Sequence, residues 1–199
     1  MDQEANMLCL VRTTVAKNPS PSDAANTAVR YMLRKAGSLH LPSMYDTTRS
    51  WGKEAWDDIV SNTFAGRCAY CGRVGQALQV EHLLMTNRTQ VGIHHPGNTV
   101  PTCKPCNTRS RKKGSQTEYD TWDEHLQKVC NDRNDREMYD ERRNKILHHM
   151  NESQYKLPMN NDAAISAVKM MTGHLYTDIA EQCKRAVSRY EELLRTFVD

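Results

Sequence analysis

Two pairs of cysteines carry the densest chemistry in this chain. Cys68 and Cys71 form one C-x-x-C pair, and Cys103 and Cys106 form a second after thirty-one intervening residues. At this spacing each pair closes a tight knuckle on two ligand positions, and together they read as one tetrahedral zinc site. Four thiolates fill every position of such an ion, so the expected role is structural rather than catalytic. Glu81 and His82 lie between the pairs, and Asn107 follows the last cysteine directly. Carboxylate, imidazole and amide are the groups needed to hold a hard divalent ion and activate water.

The remaining cysteines, Cys9, Cys130 and Cys183, are scattered without partners in sequence, and the total of seven is odd. A secreted disulfide framework would show an even count and a signal peptide, whereas the start (Met1, Asp2, Gln3, Glu4) is acidic. A reduced, metal-binding, cytoplasmic protein is therefore expected, with disulfides as the alternative. No apolar run approaches the roughly 20 residues that span a bilayer, so no membrane partner is expected. A net charge of +3 says little about partners by itself. Its distribution says more: Lys104, Arg109, Arg111, Lys112 and Lys113 crowd the segment after the second cysteine pair. That cluster is expected to contact nucleic-acid phosphates; a merely solvated face is the alternative.

Three regions can be read along the chain: 1–66, 67–116 and 117–199. The first looks helical, with Ser22 and Asp23 as an N-cap, an apolar face at Ala25, Val29, Met32 and Ala36, and Gly37 as the stop. A second helix is expected from about Trp51 to Phe64, ended by Gly66. From Arg67 to Gly114, glycine, proline and cysteine turn chemistry replaces helical periodicity. Ala77 to Val80 reads as a short strand running into Glu81 and His82, Asn98 to Val100 as its return, and Lys104 onward as a helix. The third region is helical again, with Tyr119, Trp122, Leu126 and Val129 on one face and the polar run 131–136 as a break or a solvated face. A long apolar stripe from Ile165 to Leu194 closes the chain, serving either as core or as a homodimer contact. His94–His95 reads as an exposed loop pair, with an approach of one of them to the metal or phosphate as the alternative, and His148–His149 reads as helix-end surface. The expected class is α+β: a small zinc-braced core within a mostly α-helical protein.

The cysteine pairs with Glu81, His82, Asn98 and Asn107 resemble the HNH, or ββα-metal, endonuclease family in its zinc-ribbon branch. The resemblance covers about Arg67 to Lys113. It implies metal-dependent hydrolysis of phosphodiester bonds, most often in double-stranded DNA, leaving 5′-phosphate and 3′-hydroxyl ends. His82 would be the general base, and Glu81 and Asn107 would hold a catalytic Mg²⁺ or Mn²⁺. Asn98 would tie the loop to the histidine strand. Three positions depart from the family pattern: Glu81 replaces aspartate, Met85 a common proline, and Ser110 a common lysine. The competing reading is a zinc-ribbon DNA-binding protein that kept the scaffold and lost turnover.

Overall fold

The computed structural model describes residues 20–158 and 161–198. Its order is α1 (Pro21–Ser38), α2 (Ser50–Asp58), β1 (Leu78–His82), β2 (Thr99–Cys103), α3 (Trp122–Asp132), α4 (Tyr139–Asn151) and α5 (Asp162–Val198). The class is mixed α and β, with helices surrounding one two-stranded antiparallel sheet. Among the described residues no helix is long and apolar enough to cross a membrane.

The start of α1 lies earlier than expected. Ser20 caps it, accepting from the Asp23 amide at 3.2 Å while the Asp23 carboxylate accepts from the Ser20 amide at 2.8 Å. Pro21 follows at the first helical turn, where its missing N–H costs nothing. The fully buried residues are Ala25, Val29, Leu33 and Gly37, with Met32 and Ala36 half-buried beside them and Met32 packed against the same cluster. Gly37 does not stop the helix. A Cβ there would sit 2.2 Å from the His94 carbonyl oxygen, so its lack of a side chain lets α1 lie directly on the loop that carries His94.

Helix α2 runs into a single π turn at Ile59–Thr63 and ends before Gly66, whose φ of 66° no branched residue would tolerate. In the sheet, Leu78 pairs with Cys103, Glu81 with Val100 and His82 with Thr99. The register places the second cysteine pair at one end of the ladder and Glu81 with His82 at the other.

The expected helix at Lys104 is only a 3₁₀ turn, Lys104–Cys106. Residues 107–121 are irregular, tied by a bridge between Arg111 and Tyr119, and regular helix resumes at Trp122. Thr121 caps α3 in a box with Glu124, which explains why the helix waits for that position. The polar run 131–136 does break the helical pattern, separating α3 from α4.

One core runs through Ile59, Phe64, Tyr70, Leu83, Val100, Leu126, Ile146, Met150 and Leu157. It crosses positions 66/67 and 116/117, so the cysteine-bearing segment shares its interior with the helices on both sides. Burying each Leu or Ile side chain here is worth about 1.5–3 kcal/mol. A second cluster, Val29, Leu33 and Val91, joins α1 to Ile165, Val168, Leu175 and Tyr176 on α5.

Candidate metal centre and strand-end site

Cys68, Cys71, Cys103 and Cys106 come together as the spacing requires. All four are buried, and their sulfurs lie within 4.8 Å of one another. The Cys71 and Cys103 sulfurs are 3.7 Å apart. A tetrahedral ion with zinc–sulfur bonds of about 2.3 Å would set its sulfurs roughly 3.8 Å apart. None of the six described cysteines is in a disulfide; Cys9 lies outside the described residues.

The knuckle is built by backbone. Gly72 donates its amide to the Cys68 carbonyl at 2.8 Å with φ at 69°, a left-handed turn that glycine makes without strain. The Ala69 amide donates to the Pro101 carbonyl at 2.7 Å, fastening the first pair to the strand leading into the second. The thiols crowd one another. A hydrogen bond from Cys106 holds the Cys68 thiol well below its ordinary range, and the same bond, with burial, pushes Cys106 up. Burial raises Cys71. The Cys68 thiolate thus opposes ionisation of Cys71 and Cys106, an opposition that a bound cation removes.

At the other end of the ladder, strand alternation sends Glu81 and His82 to opposite faces. His82 Nε2 lies 2.8 Å from His94 Nδ1, and His94 Nε2 lies 2.9 Å from the Tyr45 carbonyl oxygen. A carbonyl only accepts, so His94 must donate from Nε2 and present a bare Nδ1. His82 therefore donates from Nε2, and its Nδ1 keeps the lone pair. Burial, followed by the charges of His94, Arg34 and Arg109, lowers the His82 pKa to about 3, so the ring is neutral at working pH. Arg34, exposed on α1, also acts on His94. Nothing in the sequence pointed to Arg34.

On the opposite face Glu81 meets Arg109. Their ion pair is 2.7 Å long, with the arginine side chain 1% exposed. Arg109 also donates to the His82 carbonyl at 2.5 Å, to the Tyr70 hydroxyl at 3.3 Å and to Gln90 Oε1 at 3.3 Å. It therefore leaves the exposed basic cluster in which the sequence placed it, because a carboxylate in the interior demands a counter-charge. Burial raises the Glu81 pKa and the Arg109 charge opposes that rise. Asn107 reaches the same face: its Nδ2 donates to Gln79 Oε1 at 3.0 Å, and Gln79 is two residues before Glu81. That bond leaves the Asn107 amide oxygen available.

Asn98 is fully buried. Its Nδ2 donates to the carbonyls of Leu84 and Ile93, at 2.9 and 2.8 Å, and its Oδ1 accepts from the Leu84 amide at 2.8 Å. It spans the loop between the strands at the point where β1 ends.

The histidine pairs correct the surface expectation. His94 orients His82, and His95 is 5% exposed, accepting from the Gly97 amide on Nδ1 at 3.1 Å. His149 is fully buried and donates from Nε2 towards the carbonyls of Thr99 and Pro96, at 3.1 and 3.2 Å. Only His148 is exposed, beside Glu152 at 3.0 Å. Of the basic cluster, Lys104, Arg111 and Lys113 are exposed, and Lys112 is half-buried 3.4 Å from Glu124. Arg111 opens onto a groove also lined by Arg30 and Arg88.

Comparison with family models, curated proteins and solved structures finds no match to this chain.

Proposed function

We propose that this chain is a metal-dependent endonuclease of the HNH type, acting on double-stranded DNA, with a structural zinc ion held by Cys68, Cys71, Cys103 and Cys106. The observation that carries the reading is the His82 imidazole, held neutral at a strand end with its Nδ1 lone pair unspent. A histidine kept only for packing has no need of a second histidine to fix its tautomer.

In this reading His82 Nδ1 takes a proton from the water that attacks phosphorus. The charge that develops on His82 strengthens its Nε2 hydrogen bond to His94, which the Tyr45 carbonyl holds in orientation. A pKa near 3 makes the resting ring a weak base. An arriving phosphodiester anion favours the imidazolium and offsets part of the burial penalty. Glu81 and the Asn107 amide oxygen are the donors for a divalent cation such as Mg²⁺ or Mn²⁺, which when bound supplies charge to stabilise the phosphorane and the leaving oxygen. Lys104, Arg111, Lys112 and Lys113, with Arg34, supply the phosphate contacts.

A second reading has its own observation. Arg109 already neutralises Glu81, which suits a zinc-ribbon DNA-binding protein that has dispensed with a catalytic cation. Incubating the purified protein with supercoiled plasmid, with and without added Mg²⁺ or Mn²⁺, separates the two. Cation-dependent nicking or linearisation supports the nuclease; binding without cleavage over a broad range of cations and of modified and unmodified DNA supports the binder.

A further inference from the structure

Beyond Cys183 the last helix leaves the body of the fold. Ile165, Val168, Leu175 and Tyr176 are spent on α1, so the inner part of the apolar stripe is core. Every residue from Lys184 to Phe197 is exposed. This outer stretch is nevertheless not polar all round. Cys183, Val187, Tyr190, Leu194 and Phe197 recur at steps of four, three, four and three, the 3.5-residue spacing of a coiled-coil seam. The last four are 54%, 61%, 44% and 76% exposed. Helices in proteins are held mostly by packing of an apolar face, and this stretch has none within the described chain.

We propose that this seam pairs with the same seam of a second copy of the chain, in antiparallel orientation. The charges beside the seam select both occupant and direction. Set Val187 opposite the partner's Tyr190, and twofold symmetry puts Cys183 opposite the partner's Leu194. In that register Lys184 flanks the partner's Glu191, and Glu191 flanks the partner's Lys184. Neither side chain has an ion-pair partner within its own chain among the described residues. On the other side of the seam Ala186 meets the partner's Leu193, widening the apolar strip. A parallel pair would set Lys184 beside the partner's Ile179 and Glu191 beside the partner's Ala186, satisfying neither charge. Flanking charges set partner and orientation in such assemblies.

Light scattering and sedimentation equilibrium on the full-length, metal-loaded chain test the inference. DNA and added Mg²⁺ are left out, so the result is independent of the nuclease reading. Wild type should be a dimer at micromolar concentration. Leu194→Glu should be a monomer that retains its metal and most of its helical signal. Lys184→Glu and Glu191→Lys should each weaken the dimer by about tenfold, since each removes two pairs and creates two repulsions. Combining them should restore it, because exchanging both charges regenerates the antiparallel pairs. A monomeric wild type, a Leu194→Glu dimer of unchanged affinity, or a double exchange no better than the singles would each overturn the proposal.

Discussion

The Arg109 guanidinium and the Glu81 carboxylate meet at 2.7 Å with their side chains 1% and 14% exposed, so the carboxylate proposed to hold a divalent cation also neutralises an interior arginine. Removing one partner of such a pair strands the other charge, at a cost of about 3–5 kcal/mol. Glu81→Ala should therefore unfold at clearly lower denaturant than wild type, while Glu81→Gln, which keeps an acceptor for Arg109, should lose less. Equilibrium urea unfolding of the three proteins checks this, and a Glu81→Ala protein within about 1 kcal/mol of wild type would contradict the structural role.

Metal removal should act on folding. Replacing Cys103 with serine takes away one thiolate and the linked folding free energy, which for structural zinc is on the order of 10 kcal/mol at neutral pH. Elemental analysis should find one zinc per wild-type chain and little in Cys103→Ser, whose cysteine-bearing segment should lose amide-exchange protection. Because that segment shares its core with α3 and α4, their protection should fall too. Full protection without metal would refute the zinc assignment.

The exposed cations should govern salt dependence. Neutralising Lys104, Arg111 and Lys113 together should weaken DNA binding uniformly across sequences. The slope of log affinity against log salt should flatten by about 0.9 for every phosphate that is no longer neutralised. Titrations at several salt concentrations read this directly. An unchanged slope would make the cluster a solvated face.

Acid should destabilise the fold through its buried imidazoles. Burial, then the charges of His40, His149 and His94, lowers the His95 pKa from 6.5 to about 4. Above pH 6.5 neither the folded nor the unfolded ring is charged, and the full contribution is present. As pH falls towards about 4 the unfolded chain takes up a proton that the folded chain refuses, and stability drops by about 1.4 kcal/mol per pH unit. Below that the contribution stays lost. His95→Asn keeps an acceptor for the Gly97 amide without titrating, so its stability should fall less steeply across this window. Protonation of the cysteines affects both proteins and cancels in the difference, and identical slopes would contradict the assignment.

Much of this was legible in the residues. Paired cysteines announce their meeting because ligand spacing is a local property, and the strand running into Glu81 and His82 followed from turn residues on either side. Other features are set by tertiary contact. The burial of Arg109 depends on Glu81, twenty-eight positions away, and nothing in a run of basic residues marks which one turns inward. His94 looked like loop surface because its partners, His82 and the Tyr45 carbonyl, are remote in sequence. Gly37 has the type and place of a helix stop, yet its role is to let α1 lie against the His94 backbone. The helix expected at Lys104 failed because Thr121 and Glu124 supply the cap later in the chain.

The nuclease reading turns on His82 as general base, and cleavage by His82→Ala is the decisive measurement. Wild type and variant should be compared on the same duplex DNA with Mg²⁺ or Mn²⁺ present, after confirming equal zinc content, thermal unfolding and DNA affinity. Loss of a general base typically costs about 10²–10⁴ in rate, and cleavage is expected to fall by that much while binding is unchanged. Cleavage by His82→Ala at the wild-type rate would contradict the assignment of that imidazole as the base.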